Sequence, residues 1–170
     1  MIGVNCGSGQ RRFDVRKGWV NVDIVSREGQ VPDLIADGRA LPFREGSVDI
    51  VVLSHCLEHF HLGDSDGLVR ESFRVLRQGG SLIVTSPDLK ALARRWLLGE
   101  IDDYIFCVNV YGAWQGREGD DHHWNWSQEG LLKMLKGCAG WTMVRTFDWR
   151  QVVGMDLARD WWIASAECVR

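Results

Sequence analysis

Val4-Asn5-Cys6-Gly7-Ser8-Gly9, followed by Trp19-Val20-Asn21-Val22-Asp23, is the stretch on which the fold turns. A short apolar run leads into a pair of glycines, and a second short run ends on a carboxylate. This is how a nucleotide-binding α/β sheet begins. Glycines after a first strand let the backbone turn sharply and approach a ligand with no Cβ in between. An acid closing the second strand can accept hydrogen bonds from ribose hydroxyls. Gly-x-Gly alone is weak in a chain with 19 glycines among 170 residues. The ordered partner at Asp23 and the segments that follow give it weight.

Working outward, Ile2 to Cys6 reads as the first buried strand and Trp19 to Asp23 as the second. Residues 10–18 are too few for a full crossover helix, so a loop or one helical turn is expected there. Asp33 to Asp37 is a third short strand, again ending in a carboxylate. Val48 to Leu53 is β-branched and aliphatic, which suits a central strand buried on both faces. Asp64 to Leu76 reads as a helix capped by Asp64 or Ser65, with Leu68, Val69, Phe73, Val75 and Leu76 on its apolar face. Gln78-Gly79-Gly80 should terminate it. Ser81 to Thr85 is the next strand, and Leu89 to Leu98 a second helix closed by Gly99. Residues 100–126 read as a long irregular stretch rich in aromatics, acids and histidine, of a kind that is usually functional or disordered. Ser127 caps a helix running to about Ala139. Trp141 to Trp149 and Trp161 to Val169 form a final antiparallel pair. The expected fold is α/β and Rossmann-like, mostly parallel with the antiparallel pair at its end.

The totals set bounds. Residues 1–170 should form a single domain, 45% apolar and 25% charged as in ordinary globular chains. A net charge of −3 argues against nucleic acid as an obligatory partner. The five cysteines (6, 56, 107, 138 and 168) are widely spaced and read as reduced thiols of a cytoplasmic protein. No apolar run approaches the ~20 residues of a membrane span, and no signal-peptide pattern opens the chain.

Four blocks in order identify a family. The chain resembles the class I S-adenosylmethionine-dependent methyltransferases over nearly its whole length, most clearly the branch with a first motif like Leu-Asn-Leu-Gly-Ser-Gly followed by Gly-Trp-x-Asn-x-Asp. Here these are Val4 to Gly9 and Gly18 to Asp23. The others are Asp37 to Phe43 with Gly46 to Val51, Leu57-Glu-His-Phe60, and Arg74 to Asp88. The resemblance implies a seven-stranded sheet in the order 3-2-1-4-5-7-6, with helices on both faces and an antiparallel last strand. It implies S-adenosyl-L-methionine as cofactor and S-adenosyl-L-homocysteine as product. Two departures stand out: Asn5 occupies the place of the wider class's acid, and Arg11 that of its third glycine. The resemblance also leaves the chain without the N-terminal helical lid of many members, so the site is open or closed by another subunit, a homodimer included.

By resemblance, Gly7, Ser8 and Gly9 face the methionine end of the cofactor, with Asn5 adding polar contacts. Asp23 holds the ribose diol with Ile24 beside it, Asp37 accepts from the adenine exocyclic amine, and the backbone of Gly38 or Arg39 reads the ring edge. Ser54 and His55, just past the fourth strand, lie where ligands of open α/β sheets bind. The histidines fall into two clusters, His55, His59 and His61, then His122 and His123. His122 and His123 are the candidate general bases, while His59 reads as structural. His55 and His59 are four apart, but that spacing makes a metal pair only on a helix, and no metal is assigned. Trp124 and Trp126 either line the acceptor site or pack beneath the loop.

The expected activity is transfer of a methyl group to an unidentified acceptor by in-line displacement, the protein supplying mainly proximity and alignment. A small molecule or a glycan suits the aromatic stretch. A cofactor-binding subunit inactive without a partner is the first alternative. A nicotinamide-dependent oxidoreductase is disfavoured by the missing third glycine and a Gly9-to-Asp23 spacing short of the ~20 residues such sites use.

Overall fold

In the computed structural model, residues 1–26, 28, 29, 31–113, 119–151 and 162–170 are described. Four strands come first: β1 (Gly3–Cys6), β2 (Trp19–Asp23), β3 (Leu34–Ile35) and β4 (Val48–Ser54). They pair in parallel, β1 lying between β2 and β4. β5 (Leu76–Pro87) extends this series beside β4. β7 (Ile163–Val169) then runs antiparallel between β5 and β6 (Met143–Thr146). The sheet therefore has seven strands in the order 3-2-1-4-5-7-6, as the resemblance implies. Trp161, expected to open the last strand, lies outside the described residues.

Side-chain alternation divides the core between the two faces. Val51, Leu53, Leu82 and Val84 pack with Leu68 and Val69 of α1 (Leu62–Val75) and with Leu131 and Leu135 of α4 (Gln128–Cys138). Val52 and Ile83 point the other way, onto Phe13 and Trp19. The short connection from β1 to β2 thus covers sheet directly. It holds one 3-10 turn, Val15–Lys17, capped by Asp14 and released by Gly18 at φ +85°. A buried amide pair fixes it. Asn5 Nδ2 donates to the Asn21 side-chain oxygen (2.9 Å) and to the Arg11 carbonyl (2.7 Å), and Asn21 bonds both main-chain groups of Phe13.

Three local expectations need correcting. The first helix starts at Leu62 after an extended His61, ahead of the expected caps. Asp64 instead reaches Arg39 (3.1 Å) and the Ser65 hydroxyl donates to the His61 carbonyl (3.2 Å). At its other end the helix passes straight into β5, without a glycine cap. Its last carbonyls are served by Arg170, whose Nη1 donates to Phe73, Arg74 and Leu76, and by the main-chain N–H groups of Gly46 and Ser47. Gly79, at φ +71°, lies in β5 where its register against β4 slips. Finally, the 100–126 stretch contains a helix, α3 (Asp103–Tyr111), capped by Asp102 and packed on α2 (Leu89–Leu97) through stacked Trp96 and Phe106. Its run Tyr-Ile-Phe-Cys-Val-Asn-Val-Tyr is apolar on all sides, so no helical period marks it.

Candidate functional site

The carboxyl ends of β1, β2 and β4 border a cavity of about 350 Å³. The chain leaves β1 through Gly7 (φ +69°) and Gly9 (φ +46°), conformations that favour glycine. A Cβ on Gly7 would lie 2.5 Å from Cys56 Sγ, so the turn needs a glycine to pass the segment after β4. A Cβ on Gly9 would meet nothing within 4 Å: this glycine faces open space in the cavity wall. The Ser8 N–H folds the turn back onto the Val22 carbonyl (3.0 Å).

Asp23 ends β2 at the cavity. Its Oδ2 accepts the Gly9 N–H (2.8 Å) and its Oδ1 the Val25 N–H (3.1 Å). Each oxygen keeps a lone pair beyond these bonds, so the carboxylate is fixed in place yet still able to accept. Ile24 and Val25 beside it are apolar, exposed and part of the wall. Asp37 and Gly38 line the cavity as well, and a Cβ on Gly38 would come within 2.7 Å of both Leu68 and Cys6. The Asp37 carboxylate receives the Arg39 guanidinium (2.8 Å to Nη2) and main-chain N–H (2.8 Å), which hold its pKa below the usual carboxylate value. An amine arriving at Asp37 competes with Arg39.

His55 completes this wall in an unusual backbone state, φ +50° without being glycine. Its Nδ1 lies 3.1 Å from Glu58 Oε1, and its Nε2 is buried with no hydrogen-bond partner among the described residues. Glu58 is fully buried. Burial alone would raise its pKa, but the His55 hydrogen bond and the nearby charges of His55 and His59 bring it below the ordinary glutamate value.

Of the residues singled out in the sequence, Gly7, Gly9, Asp23, Ile24, Asp37, Gly38 and His55 meet at this one cavity. Asn5, Ser8, Ser54, His122 and His123 are not among its lining residues. Asn5 is committed to Asn21 and Arg11 as described, and Ser54 lies against Thr85 at 3.4 Å. His122 Nδ1 is 2.9 Å from the Asn109 carbonyl, and burial lowers the ring's pKa. His123 stacks on His61 at 4.2 Å between centroids. His55 and His59 occupy a left-handed residue and a 3-10 turn, so no α-helix joins them. Trp126 is core and Trp124 is exposed at 41%, neither lining the cavity. Cys6, Val25, Ala36, Cys56, His59, Phe60, Gly119 and Asp120 line it without having been expected as site residues; Cys56 comes from the segment that Gly7 passes, and the last two from the stretch read as irregular.

Solved structures of known proteins share this fold. Residues 6–84 match a methyltransferase domain. A demethylmenaquinone methyltransferase of Mycobacterium sp. (strain KMS) is 29% identical, the alignment covering 76% of this chain and 56% of that protein. The chain thus spans little more than half the length of that relative. A Thermotoga maritima S-adenosylmethionine-dependent methyltransferase, a possible histamine N-methyltransferase by its description, superposes with a TM-score of 0.60 at 17% identity, over 99% of this chain and 81% of that one. A Burkholderia thailandensis 1,6-didemethyltoxoflavin N1-methyltransferase, solved with 1,6-didemethyltoxoflavin and S-adenosylhomocysteine, gives 0.61 at 12% identity, over 99% and 70%.

The residues here fit an adenosyl cofactor: a glycine turn open to the cavity, a fixed carboxylate with lone pairs to spare, and apolar side chains between two acids. By sequence over residues 6–84 this chain is similar to the methyltransferase domain, and nearly its whole length has the fold of the class I S-adenosylmethionine-dependent methyltransferases.

Proposed function

We propose that residues 1–170 act as one methyltransferase domain, moving the methyl group of S-adenosylmethionine to a small, ring-bearing acceptor. The observation that carries this reading is the Asp23 carboxylate, pinned by Gly9 and Val25 in the cavity wall. Asp23 would hold the ribose diol, Gly7 and Gly9 would flank the methionine end, and Ile24, Val25, Gly38 and Phe60 would close on the adenine. Asp37, held by Arg39, would stand at the adenine edge.

When bound, S-adenosylmethionine supplies a methyl group already activated on a sulfonium. The chain's own work is then to bind, align and exclude water. No proton transfer is assigned to His122 or His123, which lie outside the cavity wall. The ring-bearing acceptor is supported by relatives named for menaquinone and toxoflavin chemistry. Free cysteines throughout the chain suit a reducing compartment such as the cytoplasm. No helix among the described residues is long and apolar enough to cross a membrane.

Calorimetric titration with S-adenosylmethionine, S-adenosylhomocysteine and NADH tests the reading. Both adenosyl compounds should bind, and Asp23→Ala should weaken them about 10–100-fold, the loss expected for hydrogen bonds to a charged group. Absence of adenosyl binding at millimolar concentration would sink the proposal, and NADH binding in its place would put an oxidoreductase in its stead.

A further inference from the structure

Beside the cavity, the turn Leu57–His59 and the segment 119–126 bring three potential ligands together. One atom from each of Glu58, His59 and His122 lies within 4.8 Å of the other two, the one such group among the described residues. Glu58 comes from the turn after β4, and its fully buried side chain leaves Oε2 with no hydrogen-bond partner among the described residues. A carboxylate oxygen left alone in a dry interior is costly, and a cation relieves that cost.

The two rings are already oriented. His59 Nδ1 sits 3.0 Å from the Asp121 carbonyl, and His122 Nδ1 sits 2.9 Å from the Asn109 carbonyl. A carbonyl oxygen only accepts, so each Nδ1 carries a proton, and in the neutral ring Nε2 then has the lone pair a metal needs. Metal-bound histidines characteristically donate their second ring N–H to a backbone carbonyl or carboxylate in this way. The rings meet edge to face at 4.9 Å.

We infer that Glu58, His59 and His122 form a binding site for a divalent transition-metal ion of the zinc class. Two imidazoles and one carboxylate are a donor set for zinc rather than for calcium or magnesium, which take oxygen ligands. Ligands around a tetrahedral ion at zinc–nitrogen distance stand about 3.3 Å apart. The three groups therefore draw inward by small ring rotations, which a 3-10 turn and an irregular segment allow. Three protein ligands leave a fourth position for water or for a heteroatom reaching the cavity that His59 also lines. The ion would tie the turn after β4 to the 119–126 segment, where the His123 and Trp124 N–H groups already meet the Glu58 carbonyl.

The test uses the tag-free full chain, dialysed against zinc or cobalt and then against buffer, with metal content by mass spectrometry and the visible spectrum of the cobalt form. Wild type should retain about one ion per chain and give the absorption of low-coordinate cobalt. His122→Ala and His59→Ala should each weaken binding by at least about 10–100-fold, the loss that outer partners alone cause. Both alter one ring at the protein's partly exposed side, so they keep the test sound if Glu58→Gln fails to fold. A metal-free wild type, or stoichiometric metal retained by both histidine variants, overturns the inference. Titration of the same samples with S-adenosylmethionine separates the two proposals: wild type that binds zinc but no adenosyl compound counts against methyl transfer alone.

Discussion

Gly7 and Gly9 sit two positions apart in one turn, yet substitution should affect them differently. At Gly7 a methyl group meets Cys56 at 2.5 Å and the backbone is left-handed, so Gly7→Ala should destabilise the fold by about 1–3 kcal/mol in urea unfolding. At Gly9 the methyl group meets nothing and projects into the cavity wall. Gly9→Ala should cost only the backbone strain, about 1–2 kcal/mol, with cofactor affinity falling by more than the stability loss accounts for. An equal loss of affinity in both variants at matched stability would contradict this division. The sequence gives both glycines the same appearance, because the difference lies in Cys56, which is forty-nine residues further along the chain from Gly7.

At the scale of elements, the β1–β2 connection is held by polar groups as much as by Phe13 and Trp19. Asn21 sits at its centre, donating its main-chain N–H (2.8 Å) and its amide (2.7 Å) to Asp33 Oδ2, while Arg12 pairs with the other oxygen. Asn21→Ala should cost about 1–3 kcal/mol by leaving these partners unmade. Burial alone would raise the Asp33 pKa, but the Asn21 hydrogen bonds and the Arg12 charge outweigh it and lower the value from 3.8. Folding then favours the carboxylate. This stability is present above the unfolded pKa and is lost as pH falls through the folded one. Urea midpoints should fall as the pH is lowered below about 5, and Asp33→Asn should flatten that drop. The strands that build this region were legible, since period and β-branching mark buried parallel strands wherever the chain carries them. β2 runs over the residues expected, Trp19–Asp23. α3 was not, because a helix apolar all round has no polar face to reveal its period. The start of α1 was missed for another reason: Asp64 and Ser65 are good caps in isolation, but Arg39 and the His61 carbonyl claim their side chains. The candidate site was legible as far as it is local. The turn and the acids ending strands appear in sequence, whereas the meeting of Glu58, His59 and His122 depends on a contact across more than sixty residues.

For the whole molecule, thiol reactivity reports how completely the two faces of the sheet are sealed. Cys107 on α3 is exposed, while Cys6, Cys56, Cys138 and Cys168 are buried. Burial pushes the Cys138 and Cys168 thiols up to about 12, far from the thiolate form at neutral pH. Ellman's reagent should therefore label Cys107 quickly and Cys138 and Cys168 only on unfolding, and rapid labelling of either buried thiol would mean the core opens locally. Sheet order carries a consequence for synthesis. β7 inserts between β5 and β6, so on the ribosome β5 ends in a bare edge and β6 has no strand beside it until residues 163–169 emerge. At roughly 5–20 residues per second the wait of β5 lasts about 4–15 s and that of β6 about 1–3 s. For that time the nascent chain displays an unpaired template to its neighbours on the same message, and a chaperone would have to shield it.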